Sequence, residues 1–498
     1  MINRWFSIKK GLALPHKIWR IKMVFSSSLF LFLFLPLFLL TYYFADKKYK
    51  NTVILVFSIV FYAWGAPNFV YILLGSTVVD FYLVKWMSEQ LDGKKKKIIL
   101  FVSIFINLGL LLYFTYANFF IENVNSSLSS MGLTEVGWTK VALPIGISFY
   151  TFQTLTYSID VYKNVHKPLK RVSDYLLYII MFPQLIAGPI VRFTHIADQL
   201  TERKETAERR FDGFLRFCLG LGKKILIANV MAEAIAGSFS LDAIALLNST
   251  DAWIVIMAYA MQIYFDFSGY SDMAIGLGKM MGFEFPENFN NPYVSKNITE
   301  FWRRWHITLG TWMRDYLYIP LGGNRSSNKF RVYFNLWTVF LISGLWHGDS
   351  WNFIIWGAFH GFFLVLDKVF LIKILNKSGA FVSTLITFFL ILNSWVFFAI
   401  DDIDTCLLFF SKLYSFDFGA SQFLYENSIF WTFLSLAILF SFFTTLNVGT
   451  KIQAFFFDNQ SRGRVAYSAL FTTGLCLFMI SGCYILSGQF NPFIYFRF

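Results

Sequence analysis

Charge is scarce in this chain. Lys, Arg, Asp and Glu together make up 15% of its 498 residues, while hydrophobic residues make up 56%, with 62 Phe. A water-soluble chain of that length needs far more polar surface. Cysteine is scarce too: Cys218, Cys406, Cys476 and Cys483 show no CxxC spacing, so they read as packing residues and supply no metal site or disulfide framework. Strict apolar/polar alternation is missing, which argues against a β-barrel. No internal repeat and no low-complexity linker is evident. What is abundant is continuous apolar sequence. The chain reads as an all-α polytopic membrane protein of eleven or twelve transmembrane helices, at about 20 residues per crossing. The net charge of +13 could point to nucleic acid. Its Lys and Arg cluster in short loops between apolar runs, however, as cytoplasmic loops do, so no nucleic-acid partner is expected.

Residues 1–22 form a basic N-terminal extension ahead of the run Phe30–Leu40. That order imitates a signal peptide, but no A-x-A-like site follows, so a retained first span is expected. Residues 23–498 read as one membrane domain with its core at 141–368. Loop charge places Lys47–Lys50, Lys94–Lys97 and Lys163–Arg171 in the cytoplasm, and Asn123–Thr139 and the loop starting at Asp401, Asp402 and Asp404 outside. The basic prefix conflicts with this scheme. Either it is translocated, or one early segment does not cross.

Three stretches depart from simple spans. Tyr175–Val191 is apolar, flanked by basic loops and broken by Pro183, Gly188 and Pro189. It reads as a re-entrant segment or a kinked span, and non-helical backbone at such depth must be covered by protein or line a cavity. Residues 279–331 carry eight Lys or Arg and are therefore cytoplasmic. Asn297 or Thr299 can cap a helix there that runs to about Tyr318. On a helical wheel Trp302, Trp305, Leu309, Trp312, Met313 and Tyr316 share one face, opposite Glu300, Arg303, Arg304, Arg314 and Asp315. That is the pattern of an interfacial helix, with His306 at the border of its apolar face. Finally, the runs Val332–Leu345 and Trp351–Leu366 span only about 21–24 Å each at 1.5 Å per residue. The turn GLWHGDSWN between them should stop short of the outer surface, with His347 on the floor of an external depression.

A titratable side chain at membrane depth is a functional candidate by default. His347 is placed for general-base work on a hydroxyl attacking a thioester, with Asp349 or Asn352 to orient the ring and Gly344 and Gly348 allowing close approach of backbone or substrate. The competing reading is a core histidine bonded to a carbonyl. His306 is equally a simple interfacial residue or a catalytic one. His347 and His360, 13 residues apart, would point opposite ways on one helix, which argues against paired haem ligands. His360 is a packed residue or a supporting partner. Asp266, Ser268, Tyr270, Ser271 and Asp272 suggest a polar cavity wall or interhelical hydrogen bonding. GLGKMMG lacks phosphate-loop spacing.

Several motifs are more specific: LPIGISFYTFQTLTYSIDVY, FPQLIAGPIVRF, FDFSGYSDMAIGLGKMMGFEFPENFNNPY, FWRRWHITLGTWMRDYLYIPLGGNR and GLWHG. With the run from Met23, they resemble the membrane-bound O-acyltransferase family, in particular its bacterial branch of alginate and peptidoglycan O-acetyltransferases. The D-alanyl transferase of teichoic acid synthesis is a more distant likeness. The resemblance implies helices around a central tunnel joining both membrane faces in a bacterial cytoplasmic (inner) membrane. It implies that His347 is catalytic and that His306 is the second characteristic histidine, nearer the donor. Arg303 and Arg304 are then available to donor phosphates, while Trp346, Asn352 and the 266–272 polar groups line the tunnel. No bound cofactor or metal is implied. The donor would be acetyl-CoA or another cytoplasmic thioester, and the acceptor an external polysaccharide, reached through a periplasmic SGNH-type transferase. A lipid or polysaccharide flippase without bond chemistry accounts for the spans and buried polar groups, but not for a histidine in a deep turn above a basic interfacial helix.

Overall fold

The structure is a computed structural model describing residues 23–325, 328–421, 428–457, 463–488 and Phe493. The basic prefix 1–22 lies outside the described residues. Among them there is no strand. Five helices are long and apolar enough to cross a membrane by length and composition: Val70–Glu89, Gly93–Ser130, Ala380–Ala399, Ser428–Thr445 and Arg464–Ser487. The remaining helices are shorter, interrupted or more polar, and among them Ile147–Tyr162 and Ser249–Met280 are buried along most of their length.

A π-helical turn, Phe30–Phe34, leads into α1 (Leu35–Phe44), which lies antiparallel to α2 (Lys50–Gly65). Phe38 and Phe34 meet Phe57, and Phe30 meets Phe61. The chain therefore enters at the end opposite Lys47–Lys50. Met23 and Val24 sit in one small cavity with Gly65 and Ala66. Phe30–Phe44 is an apolar helix shorter than the five that are long enough to cross.

α3 (Val70–Glu89) and α4 (Gly93–Ser130) follow. Asp92 accepts from Lys94 N to cap α4, whose 38 residues span about 57 Å, nearly twice the hydrocarbon thickness. The helix is thus longer than a single crossing requires. The returning chain is pinned to it: Asn118 exchanges hydrogen bonds with the backbone of Val141, and Asn125 with that of Val136. α5 (Ile147–Tyr162) then crosses back. Asp80 of α3, fully buried, accepts from Ser103 Oγ (2.6 Å) and Asn107 Nδ2 (2.9 Å) of α4 and from Tyr175 OH. One carboxylate with no cation partner among these contacts so ties α3 and α4 to the segment expected to be re-entrant.

That segment forms α6 (Val172–Ile180), a single turn α7 (Phe182–Leu185), an extended return and α8 (Phe193–Thr201). Met181 breaks the helix, and nearly every residue from Tyr175 to Val191 is buried, as backbone leaving helical geometry in a membrane must be. Arg171, Ser173 and Asp174 line the same cavity as Leu200, Thr201 and Arg203, so the segment enters and leaves at one face. At its tip the Leu185 carbonyl lies against Gly146, where a Cβ would sit 2.7 Å from that oxygen and where φ is +77°.

α9 (Ala207–Gly222) continues through a π-helical stretch, Lys223–Ala228, into α10 (Asn229–Ala234). After α11 (Leu241–Leu246), the 32-residue α12 (Ser249–Met280) runs through the centre, buried along almost its whole length. α9 and α12 touch backbone to backbone. A Cβ on Gly220 would stand 2.5 Å from the Gly269 carbonyl, and one on Gly276 2.5 Å from that of Gly213. Small residues at such crossings let helices approach where no hydrophobic drive distinguishes protein from lipid.

The stretch read as one interfacial helix is two. α13 (Ile298–Arg304) is capped by Asn297 Oδ1, which accepts from Glu300 N (2.7 Å), and by Asp367 Oδ2, which accepts from Thr299 N (2.8 Å). α14 (Ile307–Met313) continues into a π-turn, Arg314–Tyr318. The two-faced pattern survives the break: Trp305, Leu309, Trp312 and Met313 are buried, while Arg303 and Arg314 are exposed.

α15 (Lys329–His347) and α16 (Trp351–Leu366) form a hairpin extended by a π-turn, Asp367–Leu371, and α17 (Ile372–Lys377). At 19 residues, about 28 Å, α15 is longer than its apolar run indicated and nearly matches the hydrocarbon. Beyond them lie α18 (Ala380–Ala399), α19 (Ile403–Leu413), α20 (Ser428–Phe442), α21 (Asn447–Phe457) and α22 (Arg464–Ser487).

Candidate active site

His306 occupies the break between α13 and α14. Its backbone is left-handed (φ 43°, ψ 52°), a conformation few non-glycine residues adopt. The break is made by the loop that follows α12: Asn290 N donates to Arg304 O and Ile307 N donates to Asn288 O, both at 2.9 Å. The ring is fully buried, edge-on to Phe267. Asn288 Oδ1 lies 3.0 Å from His306 Nδ1 and accepts from Thr308 Oγ1 (2.8 Å) and Thr308 N (3.3 Å). A backbone N–H can only donate, so it fixes which end of the Asn288 amide faces the ring. Asn288 Nδ2 in turn donates to Ser271 Oγ (3.1 Å). Nδ1 of His306 therefore carries the proton, and Nε2 presents a lone pair. Nε2 has no hydrogen-bond partner among the described residues.

His347 is the last residue of α15. It lines an open cavity of about 190 Å3 with Phe114, Thr115, Asn118, Ile186, Trp346 and Asp349, beside the chain that returns from α4 at Leu143–Phe149. Its ring packs edge-on against Trp356 (5.0 Å) and Phe398 (5.2 Å). Trp346 neighbours both histidines, its ring 6.1 Å from that of His306 and 4.9 Å from that of His347. Phe152 stacks on Trp346 and on Trp312, fixing the indole from α5.

The other expected site residues are placed differently. Asn352 donates to the Ile400 carbonyl and closes the hairpin onto α18, whereas Asp349 shares the His347 cavity. Gly344 and Gly348 are filled by protein, the first against Phe353 O and Gly357, the second under the Phe353 ring, so their close approach serves backbone and side chain. Asp266 pairs with Lys224 (2.8 Å), and Asp272 with Arg216 and Lys223 (2.6 and 2.7 Å). Both carboxylates thus fasten α12 to α9 and its π-helical continuation, and neither lines the His347 cavity. Ser268 is buried, and Tyr270 stacks on Phe25 (4.6 Å). Arg304 is held by Glu300 (2.9 Å), while Arg303 is exposed. His360 Nδ1 accepts from Trp302 Nε1 (3.2 Å), and its ring meets Trp356 on the way to His347, a supporting place. Asn288 and Trp356 do not stand out from sequence. The only signal for the first is the Asn-rich NFNNPY itself. No group of three or more His, Cys, Asp or Glu that could hold a metal is found among the described residues.

Fold and site together define a multi-pass, all-helical membrane enzyme with two imidazoles at its centre. The chain belongs to the membrane-bound O-acyltransferase family. The family model, described as MBOAT, membrane-bound O-acyltransferase family, matches residues 171–400. The chain is 43% identical over 427 residues to the probable alginate O-acetylase AlgI of Pseudomonas syringae pv. tomato, covering 85% of this chain and 81% of that protein. It is 36% identical over 420 residues to a peptidoglycan O-acetyltransferase of Helicobacter pylori, covering 77% and 78%. A teichoic acid D-alanyltransferase of Bacillus subtilis is 29% identical over 238 residues, covering 45% and 59%.

Proposed function

We propose that this acyltransferase carries an acetyl group from a cytoplasmic thioester, acetyl-CoA, to an extracytoplasmic polysaccharide of the alginate or peptidoglycan kind, in a bacterial inner membrane. The observation that carries the reading is the pair of buried histidines that both neighbour Trp346. One is held by Asn288 with its Nε2 lone pair presented, and the other faces the outer cavity. The names of the relatives supply the acetyl group and the acceptor class.

In this reading the acetyl thioester arrives from the side of the basic α13–α14 segment, where exposed Arg303 is available to the donor's phosphates. His347 takes the proton of an acceptor hydroxyl entering the outer cavity. The hydroxyl oxygen forms the new ester bond to the acyl carbon, the C–S bond breaks, and the thiolate leaves with a proton returned to it. His306 serves the donor side of the same step. A periplasmic SGNH-type transferase passes the acetyl group on where the polymer itself cannot enter. Replacing His347 with Ala is expected to abolish polysaccharide O-acetylation in cells while the protein remains in the membrane. Unchanged O-acetyl content in a well-expressed variant sinks the assignment. Purified protein with labelled acetyl-CoA separates this reading from a flippase, which would release no thiol.

A further inference from the structure

A large cavity lies far from both histidines in sequence and has no part in the proposed acyl transfer. About 550 Å3 in volume, it sits at the basic, cytoplasmic ends of α1, α2, α6 and α8. That volume is in the range of small-molecule sites, roughly 300–1,000 Å3. Its wall holds Lys47, Lys48, Lys50, Arg171 and Arg203 against only two carboxylates, Asp174 and Glu205, leaving three positive charges in excess.

The carboxylates are already committed. Asp174 is bound by Arg171 at 3.0 Å, and Glu205 accepts from Lys50 (2.5 Å) and from Tyr42 OH (2.7 Å). Arg203 is held in place by neutral acceptors, with no direct ion pair among the described residues. Its guanidinium lies over the Phe283 ring at 4.4 Å and donates to Asn51 Oδ1 (2.7 Å), Met281 O (3.0 Å) and Tyr42 OH (3.2 Å). With Gln199 O (3.5 Å) there are four neutral acceptors, and Glu205, joined to Arg203 through Tyr42 OH, balances part of its charge while the wall as a whole keeps its positive excess. Lys47 and Lys48 form no ion pair among the described residues and are exposed at the rim. The fixed guanidinium charge with its one remaining N–H, and two exposed ammonium groups at the mouth, supply charge and donors suited to phosphate oxygens.

We propose that this cavity binds a phosphate-bearing ligand at the cytoplasmic face, independently of the acyl-transfer site. A phosphate ester in solution and the headgroup of an anionic lipid share the chemistry, and the test separates them. Titration of adenosine 3′,5′-bisphosphate into detergent-purified protein reads the soluble source. Native mass spectrometry of protein released from phosphatidylglycerol or phosphatidylcholine nanodiscs reads the lipid source. The Lys47→Glu/Lys48→Glu variant alters only exposed side chains, and Arg203→Gln removes the fixed guanidinium charge. Removing each charge-assisted hydrogen bond should weaken binding roughly tenfold or more, and salt should weaken wild-type binding. Loss confined to the bisphosphate titration assigns a soluble phosphate ester, and loss of retained phosphatidylglycerol assigns the headgroup. Wild-type behaviour of both variants with both probes overturns the proposal. His347→Ala should bind like wild type, which keeps this result apart from the fate of the acetyltransferase reading.

Discussion

His306 is held by two demands that few side chains meet together. Its backbone is left-handed, which Asn tolerates and most residues resist, and its ring must donate from Nδ1 to Asn288. The pair of demands suggests a clean experiment. His306→Asn keeps the backbone conformation accessible while removing the imidazole, so the protein should fold and lose acyl transfer. Asn288→Ala should fold too, but it releases the tautomer and leaves Thr308 and Ser271 without their partner. We expect acyl transfer to fall by about 10²-fold or more in both variants, the range of a missing acid–base contribution, measured as thiol release from acetyl-CoA. Full activity in either variant, with a melting temperature near wild type, would remove His306 from the chemistry. At this scale the sequence is readable for residue type and unreadable for partner. The break at Trp305–His306 contains no Gly or Pro; it is imposed by Asn288 and Asn290, which lie in the loop before α13.

Among elements, the crossing of α9 over α12 is the tightest constraint. Gly213, Gly220, Gly269 and Gly276 are spaced seven apart on each helix, so the two backbones meet twice on one face. A methyl at Gly276 would meet the Gly213 carbonyl at 2.5 Å and Phe217 N at 2.7 Å. Gly276→Ala should therefore cost about 1–3 kcal/mol, the usual penalty for overpacking, and Gly276→Leu should abolish the monodisperse peak in detergent gel filtration. Equal melting of wild type and Gly276→Ala would show that the helices can part without penalty. Of the two readings of Asp266 and Asp272, cavity wall or interhelical bonding, the ion pairs at this crossing show the second. Their positions beside a span are legible, but Lys223, Lys224 and Arg216 belong to a segment some forty to sixty residues earlier, and nothing local in either stretch announces the pairing. The re-entrant segment, by contrast, is legible because its breakers and flanking charges are all local.

Across the whole molecule, sidedness follows from charge and is supported by geometry. The basic ends of α2, α4, α6 and α8 gather at one face, and the far end of α4 with the chain returning from it rises from the other. A cysteine replacing Ser129 in the exposed outer end of α4 should react with a membrane-impermeant maleimide in intact cells. One replacing Lys95 should react only after lysis. Labelling in the reverse order would invert the orientation and the roles of the two histidines with it. Helix content, the number of apolar runs and the family likeness are all visible in the chain. The length of α15 is not, because its first turn, Lys329–Arg331, is polar and lies outside any apolar window. Trp346 has a consequence at this scale. An indole packed beside both imidazoles fills space that water would otherwise take next to them. In the proposed reading that bulk limits access of water to the thioester while the acceptor hydroxyl approaches it. Trp346→Ala should then release acetate from acetyl-CoA faster without acceptor, while the ratio of ester formed to thioester consumed falls.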